Sequence, residues 1–139
     1  MIDIARTGDI DTCRALRRRV FIEEQGVAEA DEVDGRDEAA WHFLAWAERE
    51  AVGTARVLLA GRGAKIGRVC VLRDWRGHGI GAGLIRAAVA ECASLGVDDV
   101  RLGAQTHALG FYTRLGFVAE GAEFLDAGIP HRMMVRRLA

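Results

Sequence analysis

The chain has 139 residues, half of them apolar and 28% charged, with 19 basic against 20 acidic side chains and a formal net charge of −1. That length holds one domain with one ordinary core, expected over residues 1–139, and the composition excludes a disordered polymer. So even a charge balance gives no field for nucleic acid or an anionic membrane, and neither is expected as a partner.

"IDIA" reads as a short strand, and "TGD" offers a helix start at Thr7 or Asp9. Ile10, Cys13, Leu16, Val20 and Phe21 follow at helical spacing, with arginines at 14, 17, 18 and 19 expected on the remaining faces. Residues 23–38, "EEQGVAEADEVDGRDE", then carry eight carboxylates and one arginine. "AAWHFLAWAE", "AVGTARVLLA" and "KIGRVCVLR" read as three strands joined by short polar turns, which predicts an antiparallel meander. A helix is expected over 79–96, stopped by Gly96, and then a strand in "DDVRLGA". "HALGFYTRLG" predicts a short helix, "FVAEG" a strand, and "HRMMVRRL" a last strand after the turn "DAGIP". The strand–helix–strand unit from 66 to 103 should be a parallel pair with a right-handed crossover. The expected fold is therefore α+β, a mixed and mostly antiparallel sheet flanked by helices.

Cys13, Cys70 and Cys92 form no CxxC pair and leave one thiol over if two were bridged, so buried thiols in a reducing compartment are expected. The N-terminus lacks a basic flank with an apolar run, and no stretch approaches the roughly 18 apolar residues of a membrane span. Cytoplasmic residence is the default expectation, and nothing in the sequence excludes a homodimer. No cluster has metal-ligand spacing, so no metal is expected.

The segment "WRGHGIGAGL", residues 75–84, places glycine at 77, 79, 81 and 83, where a helix is about to begin. Each glycine weakens a helix by roughly 1 kcal/mol relative to alanine. A glycine-rich strand-to-helix turn bares successive N–H groups, which together with the helix dipole make a seat for phosphate. Arg76 can add a charge-assisted contact to it. "GHGIGA" also fits the dinucleotide pattern GxGxxA, but the turn lies mid-chain and no acidic residue ends the following strand. A Walker loop is excluded because no Gly-Lys-Ser/Thr is present.

Arg76-Gly77-His78-Gly79-Ile80-Gly81 resembles the RxxGxG pyrophosphate turn of the GNAT acetyltransferases. "QTHALGFYTRLGF", residues 105–117, resembles their second motif, NxxAxxFYxxxGF, with Gln105 where asparagine is usual. "RRRVFIEEQG" and "DAGIPHRMM" further resemble an ElaA-like subgroup. The resemblance implies acetyl-CoA as acyl donor and a primary amine, of a small molecule or an exposed amino group, as acceptor. It implies a cofactor site made by the backbone near Val69 and Val71, by Arg76, Gly77, His78, Gly79, Ile80, Gly81 and Ala82, and by Gln105. A non-catalytic domain that senses acyl-CoA is the alternative from another class.

Acyl transfer to an amine needs a neutral amine, donors for the oxyanion and a proton for the departing thiolate. Tyr112 is the only tyrosine, and the resemblance puts its hydroxyl beside the sulfur. A phenol stays protonated at neutral pH and can supply that proton. For the base, Glu23 and Glu24 end the first helix beside the implied acceptor pocket, and Glu24 is the candidate. A solvated helix terminus is the competing reading. The acidic loop, at a formal −7, is expected either to attract a cationic amine or simply to be solvated.

Overall fold

The computed structural model describes residues 1–138. Seven strands form one sheet in the order β1-β2-β3-β4-β5-β7-β6. In chain order they are β1 (Ile2–Thr7), β2 (Trp41–Ala47), β3 (Glu50–Ala60), β4 (Gly63–Val71), β5 (Asp99–Gln105), β6 (Val118–Asp126) and β7 (Ile129–Arg137). Every neighbouring pair is antiparallel except β4 and β5, which run parallel. The expected mixed sheet with one parallel crossover is therefore the observed one.

The crossover is α3 (Ile80–Ser94), which buries Ile80, Leu84, Ile85, Ala88, Val89 and Cys92. Those positions fall every three or four residues, so they make one stripe on one side of the helix. The stripe covers Phe43, Val52, Val57, Ile66, Val100, Leu102 and Met134 from the sheet. A fully buried Leu, Ile or Val stabilises by about 1.5–3 kcal/mol, so this layer is the main source of stability.

The opposite face is covered by α1 (Ile10–Arg17). Asp9 starts it by accepting a hydrogen bond from the Thr12 backbone N–H at 3.2 Å. Cys13, Leu16 and Val20 pack there against Leu44, Cys70 and Leu72. After Arg17 the helix does not stop. Arg18–Glu24 continues as a π-helical stretch, in which Gln25 N–H donates to Val20 O at 3.0 Å. The wider turn swings Phe21, Glu24 and Gln25 toward the C-terminal end of β4.

Three expectations at this level need correction. The first helix was expected to keep its arginines on outer faces, yet Arg17 is buried, held by Glu32 at 2.6 Å and Asp37 at 2.7 Å. The acidic segment is not one solvated loop. It contains a short helix α2 (Glu29–Glu32) and a 3-10 turn (Asp37–Ala39) that fold against α1. The last hairpin is longer than expected because Asp126 pairs with Ile129 across a two-residue turn, Ala127-Gly128. Both turn residues have positive φ, +51° and +76°, the geometry whose twist suits a tight hairpin. The second motif is divided between a 3-10 turn (Thr106–Ala108) and α4 (Leu109–Thr113).

Candidate active site

The site arises from an interruption in the sheet. Parallel pairing of β4 with β5 covers only Gly63–Ile66 against Asp99–Leu102. Beyond that the two strands diverge. A bulge in β4 marks the parting: Thr54 pairs with Cys70 and Arg56 with Gly67, so β4 carries one residue more than β3. Arg68, within the bulge, sits at φ +51°, a left-handed conformation costly for a residue with a side chain. Leu72 N–H still donates to Val52 O at 2.9 Å on the β3 side. The alternation of the pleat therefore turns the backbone of Val69 and Val71 toward the gap.

Around this gap lies a cleft of about 520 Å³, lined by Val69, Val71, Arg76 and Gly81 at one end and by Gly103, Phe124 and His131 at the other. The π-helical stretch supplies a wall through Phe21 and Gln25. Gln105 and Gln25 meet across the mouth, with the Gln105 amide donating to Gln25 Oε1 at 3.2 Å. The His107 Nε2–H donates to Gln105 Oε1 at 2.7 Å, so both ends of this amide are occupied.

The glycine turn divides its tasks. Gly77 and Gly79 have φ of +82° and +78°, which only glycine adopts without strain. Gly81 lies against Phe111, where an added Cβ would stand 3.4 Å from the ring. Gly83 faces Ile4 of β1, so its missing side chain serves packing between helix and sheet. Gly79 caps α3 without any side-chain hydrogen bond, and the first helical bond runs from Gly83 N–H to Gly79 O. The N–H groups of Ile80, Gly81 and Ala82 thus precede the first acceptor of their own helix.

Tyr112 also lines the cleft. Its ring makes edge contacts with Phe111 and Phe117, at centroid distances of 5.0 and 6.1 Å. Burial pushes its phenol up to about 12.

A family model for the acetyltransferase (GNAT) domain matches residues 11–138. The chain belongs to the GNAT acetyltransferase family. YyaT of Bacillus subtilis, an uncharacterized protein, is 37% identical over 139 residues, covering 98% of this chain and 94% of that one. Among solved structures, Escherichia coli ElaA is similar with a TM-score of 0.87 at 30% identity, over 99% of this chain and 100% of its own. An acyl-CoA N-acyltransferase from Pseudomonas aeruginosa is similar with a TM-score of 0.86 at 31% identity, over 96% and 99%. The sheet with its parallel β4–β5 pair is the GNAT fold. Among the described residues no helix is long and apolar enough to cross a membrane.

Within this GNAT chain, two residues given separate tasks by the sequence are bound to each other. Arg76 donates from two nitrogens to the two oxygens of Glu24, at 2.6 and 2.7 Å, and from Nε to Val71 O at 3.0 Å. The guanidinium holds the Glu24 carboxyl below the usual carboxylate range, more than its slight burial raises it. Arg76 is therefore tied down at the edge of the turn, and both Glu24 oxygens are engaged.

The acidic segment is likewise occupied. Glu29 pairs with Arg18, Glu32 with Arg17, Asp34 with Arg56 and Arg68, and Asp37 with Arg14, Arg17 and Arg56. Arg56 hydrogen bonds hold the Asp34 carboxyl down at about 2. Burial pushes Asp37 up, but its three guanidiniums outweigh this and hold it well below the ordinary range. The expected field for a cationic amine is thus largely neutralised inside the protein. Sequence reasoning missed the partners because Arg56 and Arg68 look like ordinary strand residues until the sheet brings them under the loop.

Proposed function

We propose that this GNAT protein transfers an acetyl group from acetyl-CoA to a primary amine of a small molecule or an exposed amino group. One observation carries the reading. The open seam between β4 and β5 lies in the same cleft as the glycine turn and Tyr112. Ile80, Gly81 and Ala82 offer N–H groups at the positive end of α3, which suit the donor's pyrophosphate. Gly77, His78 and Gly79 shape that seat by their turn. Val69 and Val71 face the seam and can bond an extended amide-bearing arm as a neighbouring strand would. The N–H beside Val71 is in reach of a thioester carbonyl in that seam and would stabilise the oxyanion.

Tyr112 is the acid in this reading. A phenol held at about 12 stays protonated, so it is a standing hydrogen-bond donor and proton source for the thiolate as it departs. Glu24 and Arg76 act together as a clamp. The carboxylate fixes the guanidinium, the guanidinium holds Val71 O, and the end of β4 is kept away from β5. Gln105, engaged by Gln25 and His107, borders the arm.

The test is release of free CoA thiol from acetyl-CoA over a panel of primary amines, with the acetylated product identified by mass spectrometry. Amine-dependent release with N-acetyl product is the expected result. Acetyl-CoA binding without release across the panel would favour the acyl-CoA-sensing alternative.

A further inference from the structure

We infer that His131 is the general base that deprotonates the acceptor amine, acting through Nε2; this rests on the acetyl-transfer reading above. His131 Nδ1 lies 2.6 Å from Ile129 O. A carbonyl oxygen only accepts, so Nδ1 carries the hydrogen. The other nitrogen, Nε2, is then the one left with a lone pair in the neutral ring. Among the described residues the imidazole makes no second hydrogen bond. The ring is fixed in place by stacking on Phe124, with centroids 5.9 Å apart and planes 27° apart.

Its setting gives that lone pair a target. His131 pairs with Gln105 of β5 and with Phe124 of β6, so it stands at the register where β5 leaves the seam. Gly103, two residues back on the same face, has no side chain to fill the space. A Cβ there would lie within 4 Å of Phe124, Met133 and His131 Cδ2. The missing side chain keeps the imidazole edge open to the cleft, which His131 lines. Tyr112 packs with the α3-side core, whereas Gly103, Gln105 and His131 belong to the other face of the sheet. A thioester held in the seam would thus meet its acid on one face and its base on the other. The base can then take the proton of the entering amine without competing with the acid for the departing thiolate.

Asp31 and Asp126 also line the cleft but are exposed to solvent, and the other rival bases are less suited. Glu32 is bound to the buried Arg17 at 2.6 Å, and His107, although its Nδ1 keeps a lone pair, is exposed at the mouth with its Nε2–H held by Gln105. Glu24 lies outside the cleft lining and is fully engaged by Arg76.

The step balances as follows. The acceptor arrives as an ammonium and gives one proton to His131 Nε2. The freed lone pair forms the C–N bond to the thioester carbonyl carbon, and collapse of the tetrahedral species breaks C–S. Tyr112 protonates the thiolate and regains a proton from the new amide nitrogen. The imidazolium then releases its proton to solvent, so acetyl-CoA and an ammonium yield the amide, CoA thiol and one proton.

Three measurements on the full chain test this. Nitrogen-15 correlation spectra should show His131 protonated at Nδ1 and bare at Nε2 in the neutral ring. The reverse tautomer overturns the assignment without reference to activity. In single-turnover reactions His131→Gln should lose about 10²–10⁴-fold in rate while acetyl-CoA affinity by calorimetry is unchanged. His131→Ala should regain part of its rate on addition of imidazole, which a merely structural role would not allow. A His131→Gln protein acetylating at the full wild-type rate overturns the inference and leaves amine acetylation standing. A wild-type protein that acetylates no amine removes the acetyl-transfer reading, and this inference with it.

Discussion

Glu24 and Arg76, 52 residues apart in the chain, share two hydrogen bonds of 2.6 and 2.7 Å at the edge of the glycine turn. The pairing decides what a mutation at Glu24 should do. Glu24→Gln removes the charge but not the shape, so the clamp loosens. Acetyl-CoA KM should rise about two- to fivefold, the scale of an exposed ion pair, while kcat stays near wild type. A base at this position would instead cost about 10²–10⁴-fold in kcat. Steady-state kinetics with one saturating acceptor distinguish the two outcomes.

Gly79 and Gly81 should fail differently. Gly79→Ala puts a side chain at φ +78° and should lower stability by about 1–2 kcal/mol in denaturant titrations. Gly81→Val meets no such backbone penalty, but its branches push against Phe111 and stand in the approach of the phosphate. Its expected signature is a folded protein with strongly weakened acetyl-CoA binding by calorimetry. Unchanged affinity in folded Gly81→Val would remove the turn as the phosphate seat.

Tyr112→Phe keeps the ring between Phe111 and Phe117 and deletes only the hydroxyl. Acetyl-CoA affinity should barely change, and the single-turnover rate should fall within about 10²–10⁴-fold. Because burial raises the phenol to about 12, the acid form persists across the whole working range. The wild-type rate should therefore show no alkaline decline from Tyr112 up to about pH 10. Full-rate turnover by Tyr112→Phe would make it a packing residue.

The arginine–carboxylate cluster makes a separate forecast about stability. Arg17→Met leaves Glu32 and Asp37 buried without their main partner and should cost about 3–5 kcal/mol. The pH dependence follows from the lowered carboxyls. Asp34 is held at about 2 in the folded chain against 3.8 for the free group, so the unfolded chain binds its proton first. Stability from this group is complete above about pH 5 and is lost as pH falls toward 2. Asp34→Asn should flatten the slope of unfolding free energy in that window, measured by urea titration at successive pH values.

The sequence was most legible where periodicity and chemistry coincided. The stripe from Ile80 to Cys92, the meander of β2 to β4 and the parallel crossover all follow from patterns that local physics enforces. Legibility failed where partners come from afar. Nothing near Arg17 in the chain announces a buried guanidinium, since Glu32 and Asp37 reach it only after the acidic segment folds back. The left-handed residue of the bulge is Arg68 rather than the neighbouring Gly67, so nothing local in the sequence marked the parting of β4 from β5. The Glu24–Arg76 bond was illegible for the same reason, and it redirects both residues. His131 did leave a signal, standing beside Pro130 after a tight turn, but its tautomer depends on the carbonyl two residues back.

The ladder between β4 and β5 has four paired positions, whereas β1 with β2 and β5 with β7 have six and seven. The sheet is thus two plates, β1–β4 and β5–β7, sharing a short hinge and spanned by α3. An extended ligand lying in the open part of that hinge would act as its missing rungs. Donor binding then becomes a mechanical event as well as a chemical one. It should stiffen the joint between the plates and fix how the end of β4 on one plate sits against Tyr112 and His131 on the other.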